Sequence, residues 1–110
     1  VYARRSIIGL RSRIDKGVQI ESSIVMGADY FESFEEIQTN VAHSVPHLGI
    51  GENSLIRRAI IDKNARIGKN ARLVNKNDVE NLDSPDGSYY IREGIIIVPK
   101  NAVIEDYTEI

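Results

Sequence analysis

Two lysines occupy matching places in the chain, Lys63 two residues after Ile61 and Lys100 two residues after Val98. If those aliphatic residues lie on neighbouring strands, about 4.8 Å apart, the two ammonium groups emerge side by side and repel unless an anion lies between them. That is the chemistry of a phosphate or carboxylate site. Two independent, solvated lysines are the plainer alternative, and spacing alone leaves both open. The only histidines are His43 and His47. One could act as a general base in acyl transfer, but that role needs a positioned nucleophile beside it. The plainer reading makes both loop residues flanking Val45-Pro46, and two histidines cannot complete a three-histidine metal site. Glu35 with Glu36, and Asp83 with Asp86, could form acid/base pairs, or simply be solvated charge on polar loops. Arg57 with Arg58, and Arg11 with Arg13, read as outward charges or partners for acidic side chains. Tyr89 and Tyr90 read as residues that pack a loop back onto the body of the protein. No glycine-rich phosphate motif occurs.

The elements that must position these groups are short strands, because β-branched residues abound and few stretches show helical spacing. Ile8, Ile14, Ile20 and Met26 are six residues apart. The period returns at Ile50 and Ile56, slips by one to Ile61, Ile67 and Leu73, and reappears at Val98, Ile104 and Ile110. Such a hexapeptide repeat predicts an all-β parallel β-helix, in which one aliphatic residue per side points inward and three sides make a coil of about eighteen residues. About four coils are expected. Adjacent Ile60 and Ile61 can re-phase the corner at the slip. Lys16-Gly17, Glu52-Asn53, Lys63-Asn64, Lys69-Asn70 and Lys100-Asn101 fall where turns need a residue tolerant of positive φ. Residues 29–47 and 75–94 break the repeat and read as loops extruded at corners, the first with a possible helical pattern at Phe31, Phe34 and Ile37. Corner insertions leave the stacked sides in register.

Composition narrows the function classes. The chain has 110 residues, the length of one domain, with 42% hydrophobic and 27% charged residues and a net charge of −2. With no cysteine, there is neither a disulfide framework nor a thiolate zinc site. The charge balance gives no basic field for nucleic acid, and no apolar run approaches the roughly 18 residues of a membrane-spanning helix. The first residues lack the features of a secretory signal, and the chain does not begin with Met, so a fragment or processed product is expected. A solenoid end so close to Val1 calls for a covering neighbour.

Longer words carry a family likeness. Ile8-Gly9-Leu10-Arg11-Ser12-Arg13, Met26-Gly27-Ala28-Asp29-Tyr30, Ile50-Gly51-Glu52-Asn53, Ala59-Ile60-Ile61-Asp62-Lys63-Asn64-Ala65-Arg66-Ile67-Gly68, Asn75-Lys76 and Tyr90-Ile91-Arg92-Glu93-Gly94-Ile95 resemble, in order and spacing, the C-terminal domain of ADP-glucose pyrophosphorylase, or glucose-1-phosphate adenylyltransferase. The plant and cyanobacterial branch fits best, and the likeness covers nearly the whole chain. It implies a left-handed β-helix serving subunit association and allosteric control in a homo- or heterotetramer. The parent enzyme makes ADP-glucose and pyrophosphate from ATP and glucose 1-phosphate with Mg, for starch or glycogen synthesis. That chemistry belongs to an N-terminal nucleotidyltransferase domain, so this chain alone is expected to be inactive and to bind no cofactor. The expected effectors are 3-phosphoglycerate as activator and orthophosphate as inhibitor, and the expected location is the plastid stroma or a bacterial cytoplasm. By motif the activator-site lysines fall on Lys63 and Lys100, with Asp62 beside them to orient the site. Pro99, the added His47 and Tyr107, which replaces a usual turn glycine, depart from the family pattern. The resemblance thus implies a regulatory and assembly domain. An acyltransferase using His43 or His47 across a trimer interface and a purely structural solenoid are the competing readings.

Overall fold

The computed structural model describes residues 1–110, and the chain winds as a three-sided coil of short parallel strands. The first turn supplies β1 (Tyr2–Arg4), β2 (Ile7–Ile8) and a single bridging residue, Ile14. The second holds β3 (Gln19–Glu21), β4 (Ile24–Val25), the helix α1 (Phe34–Ala42) and β5 (Gly49–Ile50). The third holds β6 (Leu55–Arg57), β7 (Ala59–Ile61) and β8 (Arg66–Ile67). The fourth holds β9 (Arg72–Leu73), β10 (Asn81–Asp83), β11 (Tyr90–Arg92), β12 (Ile95–Val98) and β13 (Val103–Ile104). A fifth turn begins where Glu109 bridges to Arg72.

Equivalent residues stack in three inward columns. Ala3, Ile20, Ile56 and Leu73 line one side, Ile8, Val25, Ile61 and Val98 the second, and Ile14, Ile50, Ile67 and Ile104 the third. From Ile20 onward these residues are buried, and they form one continuous core with Ala59, Ala65, Ala71, Ile91 and Ile96. In the first turn Ala3 and Ile8 are exposed.

Two expectations about the repeat need correction. The inward residue after Ile20 is Val25, while Met26 is 44% exposed. Each coil also takes seventeen residues rather than eighteen: Ile8 pairs with Val25, Ile50 with Ile67, and corner hydrogen bonds such as Ala71 N–H to Ser54 Oγ span 17 residues. The missing residue is at the first corner, where Ile20 to Val25 and Ile56 to Ile61 are steps of five. Arg5, Ser22 and Arg58 hold that corner in the left-handed region at φ 49°. The slip at Ile61 is therefore a regular feature of the coil. The other turns follow the expected pattern, with Gly17, Asn53, Asn64, Asn70 and Asn101 at φ between 54° and 75°.

Both interruptions leave the columns in register but differ in kind. Residues 29–47 project from a corner, and α1 begins at a capping box in which Ser33 Oγ accepts the Glu36 N–H and Glu36 Oε1 accepts the Ser33 N–H. No residue of α1 is buried. Residues 75–94, expected to be an extruded loop, instead extend the second sheet. β10 and β11 form an antiparallel hairpin that pairs with β12, covering the sheet edge and burying Ile91. Asn75 closes this excursion by donating from Nδ2 to the carbonyls of Val79 and Gly94. Tyr89 packs against the core, as expected of a residue that fastens the excursion to the solenoid.

Candidate functional site

The pairing of Ile61 with Val98 fixes the geometry that follows it. The Asp62 N–H donates to the Val98 carbonyl and the Asn101 N–H to the Lys63 carbonyl at 3.1 Å, so Lys63 and Lys100 leave adjacent coils at the same corner. Pro99 does not disturb this. In this ladder the N–H of each equivalent residue points away from the preceding coil, as Met26 does to Ile61 and Asp62 to Val98, and on that side β11 pairs only with Ile95, Ile96 and Ile97, so the ladder calls on no N–H at residue 99. A donor is missing only where none is used.

An anion lies between the two ammonium groups, and it belongs to the protein. Lys63 Nζ is 3.2 Å from Asp29 Oδ1 and Lys100 Nζ is 3.6 Å from Asp29 Oδ2. Asn64 completes the cradle by donating from Nδ2 to Asp29 Oδ2 at 3.2 Å while its Oδ1 accepts the Asp29 N–H at 2.9 Å. Asp29 can reach this place because Gly27 takes the corner position that the lysines take in later coils. Gly27 has φ 87°, and a Cβ there would stand 2.0 Å from the Leu10 carbonyl oxygen. The hydrogen bond from Lys63, then that from Asn64, hold the Asp29 carboxyl below its ordinary range, against a smaller contribution from desolvation. All three charged side chains remain about half exposed, so the cradle is open to solutes.

Asp62 stands beside the pair but faces its own turn, accepting the Lys63 backbone N–H on Oδ1 at 2.6 Å. It fixes the Lys63 main chain rather than its ammonium group. Arg11 is not a free corner charge: its Nε donates to the Ala28 carbonyl and its guanidinium lies 6.0 Å from the Phe31 ring centre, bracing the root of the same insertion. Arg13 and Arg57 do pair with acids, Asp15 at 3.3 Å and Glu21 at 3.1 Å.

The returning end of the insertion forms a second polar region, a cleft of about 390 Å³ lined in part by Arg13, Asp15, Glu32, His47, Lys69 and Asp106. His47 Nε2 is 2.7 Å from Asp15 Oδ2, and its Nδ1 is 2.5 Å from the Leu48 carbonyl oxygen. Both ring nitrogens are thus engaged by acceptors of the protein itself. His43 is exposed at the end of α1, with Nδ1 against the Thr39 carbonyl. Three of the four candidate carboxylates have local partners. Glu36 serves the capping box, Asp83 pairs with Arg92 at 2.6 Å, and Asp86 accepts from Ser84 and Ser88 in the hairpin turn. The Ser88 N–H and hydroxyl hold the Asp86 carboxyl below its ordinary range.

Sequence reasoning brought Lys63 and Lys100 together but missed Asp29, Asn64 and Glu32. A signal existed for Asp29, which closes the tetrapeptide Met26-Gly27-Ala28-Asp29 at the point where the repeat breaks.

Stacked aliphatic columns, asparagine turns and corner insertions define a parallel β-helix domain with an ionic site on one edge. Residues 2–108 match the GLGC left-handed parallel beta-helix domain, and the chain belongs to that family, the C-terminal β-helix domain of ADP-glucose pyrophosphorylase. The parent family, glucose-1-phosphate adenylyltransferase, is a family of nucleotidyltransferases.

Proposed function

We propose that this domain is the effector-binding and subunit-assembly part of an enzyme that makes ADP-glucose and pyrophosphate from ATP and glucose 1-phosphate. ATP, Mg and the chemistry are assigned to an N-terminal catalytic domain, and the enzyme to a tetramer in a plastid stroma or bacterial cytoplasm. The β-helix binds a small phosphorylated carboxylate, 3-phosphoglycerate as activator, with orthophosphate as the competing inhibitor. One observation carries this reading: Lys63 and Lys100 converge within 3.2 and 3.6 Å of a single carboxylate, so the corner is already arranged for an oxyanion. Binding there changes turnover only through different affinities for two states of the assembly.

The test uses the intact enzyme carrying Lys63→Ala or Lys100→Ala, titrated with 3-phosphoglycerate while ADP-glucose formation is followed. Each substitution should raise the half-activating concentration about tenfold or more, the equivalent of roughly 1.4 kcal/mol or more in binding, and leave turnover without effector nearly unchanged. Unchanged activation in both variants would leave the domain a purely structural solenoid.

A further inference from the structure

The anion cradle already holds an anion, so any effector must compete with Asp29. The side chain is tethered at the first residue of the insertion, and its backbone N–H is fixed to Asn64 Oδ1. Tethering gives the carboxylate an effective concentration of about millimolar or higher at the two ammonium groups. A free monocarboxylate would replace like charge with like charge, make no new ionic contact, and still have to overcome the tether. A phosphate group differs. With about two negative charges near neutral pH and three acceptor oxygens, it can satisfy both lysines and leave no net positive charge behind. With Asp29 seated, two cations and one anion leave one positive charge, too little to hold a dianion beside a repelling carboxylate.

We infer that Asp29 sets the charge selectivity of this site, acting as a built-in counter-ion that only an oxyanion carrying two or more negative charges displaces. This rests on the effector-site reading above and adds to it a residue and a rule for which anions are admitted. The lowered proton affinity of Asp29 agrees with its place in the cradle. When a dianion takes the lysines, that hydrogen bond is lost and the Asp29 carboxyl returns toward its ordinary value.

Two measurements on the 110-residue chain decide the matter. In the first, orthophosphate and acetate are titrated at pH 7.5 against the wild type, Asp29→Asn, Lys63→Ala and Lys100→Ala, and binding is read calorimetrically. Asp29→Asn should bind orthophosphate about tenfold more tightly, a change that corresponds to removing one like charge at contact distance. The same variant should also gain acetate binding that the wild type lacks. Equal orthophosphate affinity in wild type and Asp29→Asn, with binding lost in the lysine variants, would refute the role of Asp29 and leave the effector site standing. Binding that is absent from Asp29→Asn, or indifferent to both lysines, would remove the effector site and this inference together. The second measurement needs no variant: the Asp29 carboxyl carbon is followed by NMR through an acid titration with and without sulfate, which remains mostly dianionic through the ordinary carboxylate range. The midpoint should rise with sulfate, and an unmoved midpoint at saturating sulfate would show that the ion binds without displacing Asp29.

Discussion

Arg66→Met should unfasten the first insertion from the solenoid while leaving the coil intact. Arg66 points outward from β8, where its Nη1 donates to Glu32 Oε2 at 3.0 Å and to the Pro46 carbonyl at 2.9 Å. Glu32 Oε1 accepts the Leu48 N–H at 2.7 Å, and Oε2 also accepts from Asn40 Nδ2 at 2.7 Å. The start, helix and return of the insertion therefore meet at one ion pair whose side chains are only 5% and 16% exposed. Breaking a buried pair from one side typically costs about 3 to 5 kcal/mol. Here the Leu48 and Asn40 donors stay with the carboxylate, so the expected loss is about 2 to 3 kcal/mol. Hydrogen exchange at the Leu48 amide reads this directly, and protection should fall by roughly 30- to 150-fold. Glu32→Gln combined with Arg66→Met leaves no buried charge and should recover part of the loss. The pH dependence has a fixed sign. Burial raises the proton affinity of Glu32, but the Leu48 N–H and the Arg66 guanidinium outweigh it and hold the carboxyl below its ordinary value of 4.5. A folded value below the unfolded one means the contribution is complete above pH 4.5 and is lost as pH falls through the lower folded value. Wild-type protection at Leu48 should decline on acidification, and that decline should be weaker in Arg66→Met. Protection within about threefold of wild type at neutral pH, less than 1 kcal/mol, would refute the reasoning.

Two further substitutions test the coil itself. Tyr107 is 73% exposed at φ 62°, in the turn position that Asn70 fills one coil earlier, so Tyr107→Asn should stabilise the chain by about 0.5 to 1 kcal/mol in urea denaturation; a destabilised variant would mean the ring has a packing role. Ile67→Ala removes a fully buried side chain between Ile50 and Ile104 and should cost about 3 to 5 kcal/mol, because the stacked coils on either side cannot collapse into the gap. A cost near 1 kcal/mol would indicate a core that relaxes freely.

The coil was legible because its physics is periodic. An inward aliphatic at Ile56, Ile61, Ile67 and Leu73, with asparagine at the turns, leaves few alternative folds for a chain this short. Counting in sixes selected Met26 over Val25 because both are apolar and the short first corner leaves no compositional mark. Its left-handed residues are Arg5, Ser22 and Arg58, none of them the glycine or asparagine that marks a positive φ. The hairpin at β10 and β11 was hidden for a related reason. Its strands are three residues each, and their pairing depends on β12 offering an unpaired edge, a tertiary fact rather than a local preference.

The candidate site divides along the same line. Lys63 and Lys100 could be placed together from sequence because both sit on the ladder, where a matched repeat position is a matched position in space. Asp29 could not, because it leaves the ladder at the first residue of an insertion, and no period relates it to a side chain 34 or 71 positions away. What sequence did supply was a conditional requirement: two ammonium groups at strand spacing repel unless they are separately solvated or an anion lies between them. That requirement did not say whether the anion arrives from solution or is built into the chain. The structure places Asp29 in the cradle with Asn64 holding it there. On the proposed reading, an effector at this corner would meet a competitor before it meets a site, and its affinity would follow the charge difference between the two.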